Sequence, residues 1–305
     1  MNTQSPPWSA ACPLCSHPPA ERRLKDLSAF ECPSCGFLWL RSRPPPSAYE
    51  TTNVDFSPEK LSLRMRNCRH RVALISRVIP LDRTCDIGCG EGAFLAALRE
   101  RDFSSPMGVE PNAACVSFGQ RIGLNVLQGT LEDCPRIFSA FQPNVVTLFH
   151  VVEHLVDPFE ALKMLRRSLR PGSFLVIETP NIRSYSARRW GDRWRFIYHQ
   201  HLSYFTPSTL RLSLQQAGFT VVAEGVTDFD RYALPWGELL IRLGLRNIPA
   251  PAPLRAAEGT PGASAVNKQG TVVRSVLKSG VRNLLSRLVG LLRRRDYIWV
   301  IAKVP

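Results

Sequence analysis

The stretch Thr84-Cys85-Asp86-Ile87-Gly88-Cys89-Gly90-Glu91-Gly92 constrains this chain more than any other. A short apolar segment meets an acid, and three glycines follow at alternate positions. Ala93-Phe94-Leu95-Ala96-Ala97-Leu98 then carries a helical pattern. The order predicts strand, tight turn, helix. Glycine lets the backbone take φ > 0 or approach a ligand closely. The helix start adds free N–H groups and a partial positive charge, which suit a carboxylate or phosphate. Glu110 ends the next apolar segment, about 20 residues after the glycines, where a Rossmann-like unit places a ribose-binding carboxylate.

Asp86-x-Gly88-x-Gly90-x-Gly92, followed by Glu110-Pro111-Asn112, resembles the class I S-adenosylmethionine-dependent methyltransferases. A dinucleotide-binding loop reads GxGxxG, whereas this one reads GxGxG. The resemblance covers residues 70 to 225 and the last strand. It implies an α/β fold, a Rossmann-like doubly wound seven-stranded sheet, with cofactor at the carboxyl ends of its strands. On that resemblance the cofactor is S-adenosylmethionine. Its expected neighbours are Asp86, Gly88, Cys89, Gly90, Glu110, Pro111, Thr130, Leu131, Phe149 and His150. The family carries an aspartate after the third strand, near the adenine. Here Thr130-Leu131 follows Leu124–Gly129, which makes Thr130 the expected adenine contact.

Nine cysteines and a net charge of +14 bound the rest. The N-terminal residues lack the basic and apolar regions of a signal peptide, and no apolar run reaches the length of a membrane span. The expected location is cytoplasmic. Paired cysteines there signal metal more readily than disulfide. Cys12-Pro13-Leu14-Cys15 and Cys32-Pro33-Ser34-Cys35 are two CxxC knuckles with zinc-ribbon spacing. Four sulfurs leave zinc no open position, so the metal would be structural. Residues 1–43 are read as a zinc-ribbon module, 44–60 as a linker, and 61–305 as the methyltransferase domain. Tyr49 and Phe56 either pack on that domain or cover its site. The excess positive charge points to an anionic partner: nucleic acid, lipid or a phosphorylated substrate.

Ser57-Pro58 predicts a helix start, and apolar spacing carries the helix to Pro80. Its other face, with Arg64, Arg66, Arg69, Arg71 and Arg77, reads as solvated. Val145-Val146-Thr147-Leu148-Phe149 reads as a central buried strand. His150-Val151-Val152-Glu153-His154 follows it directly. Its HxxEH spacing matches an inverted zinc-protease signature, but the segment opens after a strand rather than inside a long helix. It is read instead as a loop over the cofactor.

The segment from Thr179 to Phe205 holds two tryptophans, five arginines and paired histidines, and reads as the acceptor site. Its end, Tyr198-His199-Gln200-His201-Leu202-Ser203-Tyr204-Phe205, resembles a segment of sugar C-methyltransferases. That resemblance places Tyr198 and His201 on functional positions. Gln200 stands where those enzymes carry glutamate. His201 is the expected base, with His154 second and Tyr198 as orienter. The expected acceptor is a sugar or sugar-containing glycolipid, with RNA, or cofactor binding without catalysis, as alternatives. Residues 236–296 are expected to form a basic, partly disordered insertion. A helix over 272–295 would either pack on protein or lie on an anionic inner membrane face.

Overall fold

The structure, a computed structural model, describes residues 11–41, 54–227 and 296–305. The triple-proline segment, Tyr49 and the basic insertion therefore lie outside the described residues. The N-terminal region forms a hairpin of β1 (Ala20–Leu24) and β2 (Leu27–Glu31), continued antiparallel by β3 (Leu38–Leu40). Helix α1 (Pro58–Ile75) precedes an alternating series: β4 (Thr84–Ile87), α2 (Ala93–Arg99), β5 (Met107–Glu110), α3 (Ala113–Arg121), β6 (Val126–Gln128), α4 (Cys134–Phe141), β7 (Val145–Phe149), α5 (Pro158–Ser168) and β8 (Phe174–Pro180). Then come α6 (Tyr185–Trp190), β9 (Ser203–Tyr204), α7 (Pro207–Gln216), β10 (Thr220–Thr227) and β11 (Tyr297–Lys303).

Seven strands form the main sheet in the order β6-β5-β4-β7-β8-β11-β10. β11 runs antiparallel to both its neighbours, and the other pairings are parallel. Both faces are covered, as continuously apolar strands demand. On one face Val145 and Val176 pack with Val72 and Ile75 of α1 and with Phe94 and Leu98 of α2. On the other, Val146, Leu148, Leu175 and Ile177 pack with Leu162, Leu165, Leu210 and Leu214. Adjacent strand residues thus serve opposite layers.

Two local expectations change. α1 starts at Pro58 but ends at Ile75, where Ser76 caps it through Val72; Val78 and Ile79 close a turn instead. Nor is its basic face merely solvated. Arg71 turns inward onto buried Glu178 of β8, Arg64 approaches Glu91 at 3.5 Å, and Arg69 makes a paired contact with Glu100. The charged stripe had looked like a solvent face because its partners lie in other elements. Phe56 stacks on Phe118 of α3 at 4.9 Å, so it packs on the main domain.

The N-terminal hairpins are stitched to the segment before α7. β9 pairs antiparallel with β3, Leu38 opposite Tyr204 and Trp39 opposite Ser203, which makes a second, four-stranded sheet. Phe37 packs against Trp39, Phe159 and Phe205, with ring centroids 5.2–5.4 Å apart. Lys25 donates to the Ile197 carbonyl and Gln216 to the Leu14 carbonyl, both at 2.8 Å.

Candidate active site

The glycine turn leaves β4 as predicted. Gly88, Gly90 and Gly92 have φ of +69°, +56° and +87°, a region most side chains avoid. A Cβ on Gly88 would fall 2.6 Å from a Val151 methyl, whereas one on Gly90 would enter open space. That space is a cavity of about 270 Å³. Asp86, Gly88, Cys89, Gly90, Phe149 and His150 from the predicted set line it. The sequence reading had not placed Arg64, Arg71, Glu91 and Tyr297 there.

Glu110, Pro111, Thr130 and Leu131 lie outside that lining. Glu110 ties the site together: its carboxylate accepts the Gly90 N–H at 2.8 Å and the Asn112 N–H at 2.9 Å. Burial raises its pKa, which those two N–H groups oppose. Thr130 caps the short turn Leu131–Asp133 through Asp133, and Leu131 is buried in the core. Asp86 receives the Thr147 hydroxyl at 2.5 Å; burial raises its carboxyl to about 7, against that hydrogen bond and the Arg71 charge. Glu91 is 7% exposed, and its Oε1 has the Arg64 guanidinium at 3.5 Å but no hydrogen bond within the protein. A buried, unsatisfied carboxylate oxygen in a cavity suits a ligand carrying N–H donors.

A second cluster of polar side chains is built by the turn after β7 and the loop before β9. His150, at φ +58°, points Nδ1 toward Glu153 at 3.3 Å and Nε2 toward Glu178 at 3.2 Å. Burial works against its charge, but the hydrogen bonds to the two glutamates outweigh it and raise His150 to about 9. Glu178 also holds Arg71, whose guanidinium lies 4.9 Å from the Phe149 ring centre. The three predicted catalytic residues come together. The Tyr198 hydroxyl and His201 Nε2 are 2.7 Å apart, and the His154 and His201 rings are 4.7 Å apart. His154 Nδ1 meets the Gln200 carbonyl at 2.9 Å. His201 is 2% exposed, and its Nδ1 faces the Phe196 carbonyl without a full hydrogen bond. Burial, aided by the neighbouring histidines and opposed by Glu153, lowers His201 to about 3. Of the two tryptophans, Trp194 is core, 1% exposed, and Trp190 faces solvent.

Among the described residues, two groups could hold a metal. The sulfurs of Cys12, Cys15, Cys32 and Cys35 lie within 4.8 Å of one another, with Cys12–Cys35 at 3.6 Å and Cys15–Cys32 at 3.4 Å. Tetrahedral zinc at about 2.3 Å from each sulfur needs edges of about 3.8 Å, so the set fits. Glu153, His154 and His201 also bring donor atoms within 4.8 Å. The cationic His150 beside Glu153 opposes a second cation there, and the cluster suits proton handling better.

A parallel sheet with one antiparallel strand, a glycine turn after β4 and an acid after β5 define a class I methyltransferase that uses S-adenosylmethionine. The comparisons agree. A family model described as a methyltransferase domain matches residues 48–224, and the chain belongs to that family. It is 30% identical over 146 residues to a tRNA U34 carboxymethyltransferase of Methylococcus capsulatus, covering 45% of this chain and 44% of the relative. It is 30% identical over 125 residues to a ubiquinone biosynthesis O-methyltransferase of Marinobacter nauticus, covering 39% and 50%. The chain thus spans half or less of these relatives' lengths. The solved structure of an S-adenosylmethionine-dependent methyltransferase from Archaeoglobus fulgidus shares the fold, with TM-score 0.50, 22% identity and coverage of 81% and 94%. Among the described residues no helix is long and apolar enough to cross a membrane.

Proposed function

We propose that this methyltransferase methylates a small sugar-bearing acceptor, using His201 and Tyr198 to remove the acceptor's proton. The carrying observation is the 2.7 Å contact between Tyr198 and His201 in a segment that resembles the acceptor loop of sugar C-methyltransferases. Gly88 and Gly90, the cavity they line, and Glu110 behind the turn would hold the cofactor. Arg64 and Arg71 suit its carboxylate, and Glu91 and Asp86 suit its ammonium. S-adenosylmethionine supplies there a methyl group on positive sulfur, which becomes a neutral thioether when an electron pair attacks the carbon. The protein's share is positioning and proton removal. Tyr198 takes the acceptor's proton on its oxygen and passes its own to His201 Nε2. His154 packs against the His201 ring and holds it in place. The four cysteines would hold one structural zinc, which keeps β3 in place under β9.

The similarity to a tRNA-modifying enzyme, together with the basic charge, supports RNA as a second acceptor class. Incubation with labelled S-adenosylmethionine and separate nucleotide-sugar and RNA pools, read by mass spectrometry, tests both. A labelled sugar product is expected. Label only in RNA would move the assignment to RNA, and label in neither would remove both.

A further inference from the structure

We propose that Glu153 is the charged positioning residue of the acceptor site, a single carboxylate shared by His150 on the cofactor side and His201 on the acceptor side. The inference rests on the reading of His201 as proton acceptor and supplies the counter-charge that reading needs. A proton taken by His201 creates an imidazolium at a position only 2% exposed. A buried cation without a partner is costly. The loop that carries His201 offers no acid nearby: Tyr198, His199 and Gln200 are all neutral or basic.

Glu153 provides one from the turn after β7. It is 1% exposed. Its Oε2 accepts the Thr179 hydroxyl at 2.9 Å. Its Oε1 stands 3.3 Å from His150 Nδ1 and 3.9 Å from His201 Nε2. Its backbone carbonyl also accepts the Leu202 N–H at 2.7 Å. One residue therefore grips the acceptor loop through its main chain and faces the loop's histidine with its carboxylate.

The charges alternate outward from the cofactor cavity: Arg71 positive, Glu178 negative, His150 positive, Glu153 negative. His201 is the next group in the row. When it takes a proton the alternation extends by one, and Glu153 meets the new charge against burial and against the like charges of His154 and His150. Burial opposes the charge on Glu153, but His150, His154 and His201 hold its carboxyl down to about 2. The groups facing His150 are Glu153 from its own turn, Glu178 of β8 and the ring of Tyr297 of β11. Arg71 of α1 stands behind Glu178, and His201 lies across Glu153.

The test uses the full chain with ¹⁵N-labelled histidine, saturated with S-adenosylhomocysteine and titrated from pH 5 to 10. Ring signals are assigned with His150→Asn, His154→Asn and His201→Asn. In the parent, His150 stays protonated to about pH 9. In Glu153→Gln its midpoint falls by at least one pH unit, the ring nitrogens of His201 shift, and S-adenosylhomocysteine affinity changes less than threefold. Thr179→Val, which removes only the neutral partner, leaves the His150 midpoint within half a unit. With any acceptor in hand, kcat of Glu153→Gln falls at least a hundredfold at little change in KM. A His150 midpoint or a His201 ring unmoved by Glu153→Gln overturns the assignment, as does loss of cofactor binding in the same variant. Failure of the parent to methylate any pool defeats the functional reading instead, and the titration still decides the role of Glu153.

Discussion

Leu40 donates its backbone N–H to the carbonyl of Leu202 at 2.9 Å. That bond joins the last strand of the cysteine hairpins to the residue beside His201. It makes the N-terminal region part of the frame around His201.

Purified protein should therefore contain about one zinc per chain. Stripping it, or Cys32→Ser, should cost at least about 2 kcal/mol, or roughly 4–8 °C in melting temperature. Hydrogen exchange should quicken first at residues 197–204, while β4, β5 and β7 stay protected. Exchange spread evenly over both regions would contradict a local frame.

Glu110→Ala should weaken S-adenosylhomocysteine binding by about 1–3 kcal/mol, since it removes a charged acceptor that also shapes the glycine turn through Gly90. Calorimetry measures this directly. An unchanged affinity would show that the carboxylate serves the turn alone.

Arg71→Met leaves Glu178 buried with only His150 for a partner, and should destabilise the fold by about 3–5 kcal/mol. Arg71→Met with Glu178→Leu should recover much of that loss in urea unfolding. A double variant as unstable as the single would point to packing rather than charge.

Asp86 gives a signed pH effect. Its folded pKa, about 7, lies above the unfolded value near 3.9, so between these limits the folded state holds a proton that the unfolded chain has lost. Its contribution to stability is greatest below pH 4 and falls as pH rises through 7. Relative to Asp86→Asn, the parent should lose stability between pH 5 and pH 8. Parallel curves for the two proteins would show that Asp86 ionises normally.

The basic, apolar-striped stretch at 272–295 lies outside the described residues, but its pattern makes a separate prediction. Deleting residues 250–294 should abolish sedimentation with anionic vesicles and leave cofactor binding intact. Each basic residue near the surface contributes about 1 kcal/mol at modest salt. Binding that ignores salt would count against surface attachment.

The glycine turn and Glu110 were legible in the sequence because their chemistry is local: each glycine's φ is set within a few residues. Seven strands and their helices were legible for the same reason, through apolar runs and caps. The pairing of Arg71 with Glu178 was not, because it spans 107 positions and the arginine sits in a stripe that looks solvated. Thr130 resembled an adenine contact by position, and its capping of the turn through Asp133 was not legible there. β9 is two residues long and has no strand signature; only its partner β3 makes it a strand. Glu153 read as a loop residue, and only the folded turn brings it against two histidines.

The shared edge between β3 and β9 also sets where this chain can be cut. Starting a shortened protein at residue 61 would bare the β9 backbone, with Phe159 and Phe205 beside it, where Phe37 and Trp39 now lie. An unpaired strand edge flanked by aromatic rings recruits strands from other molecules. A catalytic fragment trimmed at the domain boundary that the sequence suggests should accumulate as aggregate, and the hairpins would have to be expressed with it to keep it in solution.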